Sequence, residues 1–97
     1  MAAANQTFSS FEWDEKKRMQ NIAKHGIDFE DALLALEEPH VEIRSDKNGE
    51  VRTLAICPDT DRLITVVYTM RGETCRIISA RAARKYEQKL YNDHYAR

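Results

Sequence analysis

From residue 40 to residue 80 the apolar side chains recur every second position, and this period is broken only by short polar turns. The segments are HVEIRSD (40–46), VRTLAICP (51–58), RLITVVYTM (62–70) and TCRIISA (74–80). Alternation of this kind suits an extended chain with one face packed, and the third segment, rich in β-branched and aromatic residues, is the strongest strand former. The connections KNGE, DTD and RGE are too short to join anything but antiparallel neighbours, and Asn-Gly is the residue pair a tight hairpin favours. Three successive hairpins predict a four-stranded antiparallel meander.

The flanks have a helical period. FEWDEKKRMQNIAKHG (11–26) reads as a first helix preceded by the apolar anchors Phe11 and Trp13. Asp14 is placed to accept from the first free amides. Met19, Ile22 and Ala23 form an apolar stripe, Lys16, Lys17 and Arg18 a solvated side, and Gly26 falls where a left-handed residue ends a helix. Asp28 opens a second helix, DFEDALLALEE (28–38), with Phe29, Ala32, Leu33 and Leu36 inward and Pro39 after its end. From Ala82 a third helix follows, with Ala83, Tyr86, Leu90 and Tyr91 as its packing stripe. Helices at both ends and strands between them define an α+β domain. Residues 1–10 read as a disordered leader and 11–97 as a single domain, the size expected of 97 residues.

Several functions find no support. No apolar run reaches the roughly 18 residues of a membrane helix, and the N-terminus has no signal-peptide pattern, so no membrane partner and a cytoplasmic location are expected. Cys57 and Cys75 form neither a C-x-x-C motif nor a disulfide framework and read as reduced thiols on strands. His25, His40 and His94 lack zinc-ligand spacing, so no metal and no cofactor are expected. There is no glycine-rich phosphate loop, and Ser79 lies within a strand pattern rather than on a nucleophile turn.

What remains is cationic. Net charge is −1, but residues 1–48 carry 6 basic and 10 acidic side chains, whereas 49–97 carry 9 and 6. The basic excess gathers in Arg71, Arg76, Arg81, Arg84 and Lys85. Cations near a helix N-terminus oppose the dipole, which makes an anionic partner one explanation of Arg81, Arg84 and Lys85; pairing of Arg84 with Glu87 is the other. Arg76 reads as structural, held by a cross-strand carboxylate. Lys24 and His25 sit in a last helical turn, where basic groups favourably meet free carbonyls, so helix termination alone explains them as well. The acidic second helix (Asp28, Glu30, Asp31, Glu37, Glu38) would repel a polyanion.

Three motifs then occur in order: aromatic-x-Trp-Asp-x-x-Lys, Lys-His-Gly-Ile-x-Phe-x-x-Ala, and Arg-Ile-Ile-Ser-Ala-Arg. Through them, residues 11–91 resemble the BrnT family of bacterial toxins. The resemblance implies a RelE-like fold and a toxin of a type II toxin–antitoxin module that cleaves RNA and inhibits translation. It also implies a ribbon-helix-helix antitoxin, in a 2:2 heterotetramer, that alone contacts operator DNA. RNA carries its own nucleophile in the 2′-OH, so such chemistry needs placed cations and proton transfer rather than a metal. On that footing Lys24, His25, Arg81 and Arg84 are the expected catalytic group, with His25 as acid or base, and Arg71 and Lys85 contact RNA. About seven residues of strand, roughly 20 Å, separate Arg71 from Arg81, so one phosphate cannot touch both. The alternative is a weakly catalytic or non-catalytic antitoxin-binding module acting as corepressor.

Overall fold

Asp14 does accept from the amides of Lys16 and Lys17, at 2.8 and 3.2 Å, and so starts helix α1 (Glu15–His25). Gly26 ends it in the left-handed region (φ 70°) with its amide on the Ile22 carbonyl. One residue of linker later, Asp28 caps α2 (Phe29–Leu36) through the Glu30 amide. The computed structural model describes residues 2–4 by their backbone, and 8–47 and 49–96 in full.

The remaining elements are β1 (Ala2–Ala4), β2 (Ser10–Glu12), β3 (His40–Lys47), β4 (Glu50–Asp59), β5 (Arg62–Arg71), β6 (Thr74–Ala82) and α3 (Lys85–Tyr95). They form one mixed sheet in the order β1-β3-β4-β5-β6-β2. The expected meander is its centre: β3 to β6 pair antiparallel in sequence order. A four-stranded antiparallel sheet was too small a description, because β1 joins β3 antiparallel and β2 joins β6 in parallel. Strands of three residues carry too little alternation to be read from sequence. The leader expected over 1–10 falls partly on residues 1 and 5–7, which lie outside the described residues; Ala2–Ala4 are paired, and Ser10 opens β2. The Asn-Gly turn includes residue 48, also outside them, but Lys47 faces Glu50 and Gly49 has φ 76°.

Two cores lie on the two faces of the sheet. Phe29, Ala32 and Leu36 of α2 pack with Ala55, Cys57, Ile64, Val66, Tyr68, Cys75, Ile77 and Ala80 on one face. On the other, Leu90 and Tyr91 of α3 pack with Val41, Ile43, Ile56 and Leu63. Because α3 covers only this end, the same face continues uncovered by a helix through Arg52, Thr69 and Arg76. The core thiols are free and buried; burial pushes Cys75 up to about 12 and raises Cys57 further, which leaves both unreactive.

Two helices are turned differently from their sequence stripes. In α1, Met19 is 55% exposed and Ala23 is exposed, whereas Asn21 is buried. Arg18, expected on the solvated side, pairs with Asp28 at 2.8 Å and with Glu15. In α3, which begins at Lys85 rather than at Ala82, Tyr86 is 53% exposed and Glu87 is fully buried in its place. In both cases a polar side chain that finds its full set of hydrogen bonds replaces the apolar residue a pattern would choose.

Candidate nucleic-acid interface

The β6–α3 junction does not hold a free cation cluster. Arg81 lies in the strand, opposite Thr65, and points to the α3 face. Its guanidinium grips Glu87 with two bonds, Nη1 to Oε1 at 2.8 Å and Nη2 to Oε2 at 2.9 Å. The Glu87 carboxylate also accepts from the Thr65 hydroxyl at 2.8 Å and from the Arg84 amide at 2.7 Å. Burial alone would raise the Glu87 carboxyl, but these donors, Arg81 foremost, hold it at about 2. The same pairing raises Arg81 above its ordinary value.

This overturns two expectations. Arg81 and Arg84 are not cations of the helix's first turn, because the helix starts after both. Arg84 serves Glu87 through its backbone amide, not its guanidinium. Arg84 and Lys85 are exposed at the start of α3, and no carboxylate among the described residues pairs with either side chain. Arg71, at the far end of β5, is exposed and equally without such a partner, about 20 Å along the strands from Arg81. Arg76, as expected, is held by a carboxylate from the neighbouring strand: Glu12, at 2.9 Å.

A different cluster forms where α1 meets the edge of β6. Lys17, Gln20, Lys24 and His25 face Ile78 and Ser79 across a pocket of about 240 Å³, with Asn21 between them. A register shift of β6 against Val67 and Tyr68 lies beside the pocket: Val67 faces Ser79, Tyr68 faces Ile77, and Ile78 is left as the extra residue. The same bulge puts Arg76 and Arg81, five residues apart, on one face of the sheet, since their partners Thr69 and Thr65 are there. Ser79 shares this face through Val67, so the pocket adjoins the row of arginines.

Lys24 is exposed and His25 half-buried, and neither pairs with a carboxylate among the described residues. Arg81 is not among the residues that line the pocket. Lys24 and His25 are therefore brought together, while the expected grouping of Lys24 with Arg81 around one phosphate is not what the side chains form. Lys17, read as solvated, Ser79, read as a strand residue, and Gln20 were not expected in the site from the sequence. Lys17 lies one helical turn before Gln20 and two before Lys24, a spacing that would have placed it on their side.

Two larger hollows are chemically unlike this one. About 560 Å³ beside Gly49, Glu50, Val51, Thr53, Thr69 and Met70 holds no cation, and about 370 Å³ between α2 and the β4–β5 turn is lined by Asp31, Glu38 and Asp59. Neither suits an anion. Among the described residues no group of three His, Cys, Asp or Glu side chains is gathered as metal ligands, and no helix is long and apolar enough to cross a membrane.

Away from the pocket, His40 is fully buried with Nδ1 at 2.8 Å from the Glu38 carbonyl and Nε2 at 2.9 Å from Glu42. Tyr68 donates to the same Glu42 oxygen at 2.6 Å. Burial works against ionisation of Glu42, yet the bonds from His40 and Tyr68 prevail and keep its carboxyl below the ordinary range. This network fastens the start of β3 inside the core.

The molecule is a small α+β domain in which Lys24 and His25, unpaired among the described residues, border a pocket at a strand edge. Residues 13–87 match the family of BrnT ribonuclease toxins of type II toxin–antitoxin systems, and the chain belongs to that family. The comparison with curated proteins yields no match.

Proposed function

We propose that the chain is a metal-independent endoribonuclease whose reaction centre is the α1–β6 pocket. One observation carries this reading: Lys24 and His25 line the pocket together with no carboxylate among the described residues to neutralise them, whereas Arg81 is committed to Glu87. In the reaction the 2′-oxygen of the substrate attacks the adjacent phosphorus and the bond from phosphorus to the 5′-oxygen breaks. His25, neutral, takes the proton of the 2′-OH; the departing 5′-oxygen takes a proton from Lys24 or water. Lys24, with Lys17, compensates the charge that builds on the phosphorane. The products are a 2′,3′-cyclic phosphate and a 5′-hydroxyl.

Arg71, Arg84 and Lys85 lie outside the pocket and hold flanking phosphates of an extended strand. Arg81 supports the interface through Glu87 instead of touching the scissile phosphate. Cleavage of cytoplasmic RNA would inhibit translation. A ribbon-helix-helix antitoxin, in a 2:2 complex, would neutralise the toxin and carry the operator DNA contact. A RelE-like kinship belongs to the same reading, although the sheet is larger than the four antiparallel strands expected with it.

A second reading, an antitoxin-binding corepressor with little hydrolysis, draws on the same electrostatics. Arg52 and Arg76 on the open face, and Arg81 under α3, are each paired with a carboxylate, and net charge is −1, so attraction to bulk RNA is weak. Purified chain incubated with a model RNA and EDTA separates the readings. Cleavage that survives the chelator and leaves cyclic phosphate ends is expected; cleavage abolished by EDTA overturns the metal-free scheme, and no cleavage with or without it favours the corepressor.

A further inference from the structure

We infer that Asn21 is a positioning residue of the ribonuclease: its carboxamide fastens α1 to the open edge of β6 and thereby sets where Lys24 and His25 stand against Ile78 and Ser79. The inference rests on the reaction centre proposed above.

Strand β2 covers the outer edge of β6 only from Thr74 to Arg76. Further along that edge, Asn21 takes the place of a neighbouring strand. The Ala80 amide donates to its Oδ1 at 3.1 Å, and its Nδ2 donates to the Ala80 carbonyl at 2.9 Å. The second Nδ2 proton goes to the Ile27 carbonyl, also at 2.9 Å, just beyond the glycine that ends the helix. Every strong donor and acceptor of one side chain, on a residue only 6% exposed, is used in tying three segments together.

An apolar residue would seat α1 on the sheet more cheaply, because a buried amide costs free energy unless all its bonds are made. Apolar packing, however, tolerates sliding, whereas a carboxamide bonded to both groups of Ala80 permits one register only. Lys24 and His25 follow Asn21 by three and four residues and so project from the same side of the helix. A displacement near 1 Å at such a site is enough to cost about 10²-fold in rate.

A double-mutant cycle on the full chain, with cleavage of a short RNA measured at matched folded fraction, tests this. Asn21→Ala is expected to lower kcat roughly tenfold to a hundredfold with KM little changed. In a Lys24→Ala background the same substitution is expected to cost less than about threefold, since it acts through a group already removed. Equal losses in both backgrounds overturn the inference while leaving the reaction centre standing. A wild-type rate for Lys24→Ala removes the reaction centre and this inference with it. Should Asn21→Ala fail to fold, Asn21→Asp serves: its carboxylate cannot donate to Ala80, but its protonated form can. Its kcat relative to the unaltered chain should recover as pH falls, and a flat ratio counts against the inference.

Discussion

The two basic junctions of this molecule look alike in sequence and have opposite fates in the fold. At the β6–α3 junction, Arg81 is 16% exposed and its charge is spent on a carboxylate that is fully buried. At the α1–β6 junction, Lys24 and His25 meet no carboxylate among the described residues and border a pocket. A cluster of cations therefore says little until its anions are located. The junction richer in arginine is a structural joint, and the poorer one is the junction proposed above as the reaction centre.

The largest expected effect tests the joint. Arg81→Ala leaves Glu87 buried with its charge unpaired, and should cost about 3–5 kcal/mol in a urea unfolding experiment. Combining Arg81→Met with Glu87→Leu should recover most of it, since the buried charge is gone as well. A loss below about 1 kcal/mol for Arg81→Ala would place Arg81 back among the free cations.

Acid should act on the same joint. Glu87 titrates at about 2 in the folded chain, below its ordinary 4.5. A depressed carboxyl contributes stability above its unfolded pKa and loses it as pH falls through the folded one. Glu87→Gln should therefore flatten the loss of stability between about pH 4.5 and 2, a window in which the unaltered chain loses up to about 3 kcal/mol. Identical acid transitions for both would show that the pair contributes nothing.

The smallest effect concerns the outlying Arg71. Removing one phosphate contact from a single strand should reduce the slope of log K against log salt by about 0.7. RNA binding by Arg71→Ala, measured across salt concentrations, would show it, and an unchanged slope would take Arg71 off the RNA path.

Much of the fold was legible because its signals are local. Asp14, Gly26 and Asp28 each do what their types dictate at a helix end, and four alternating segments became the four central strands. What escaped depends on partners distant in sequence. Asn21 is inward-facing only because Ala80, 59 residues away, supplies a donor and an acceptor. Glu87 displaces Tyr86 from the inner side of α3 because Arg81 and Thr65 are waiting for a carboxylate. Strands of three residues gain their shape from the sheet they join rather than from their own sequence. The bulge that leaves Ile78 unopposed beside the pocket has no mark in the residue types of RIISAR.

The difference between the junctions comes down to one comparison of rate with stability. RNA cleavage by Lys24→Ala should fall by about 10²–10³ while its unfolding free energy stays within about 0.5 kcal/mol of the unaltered chain. Cleavage at the full rate, or a fall that only follows the unfolded fraction, would contradict the assignment of the α1–β6 pocket as the reaction centre.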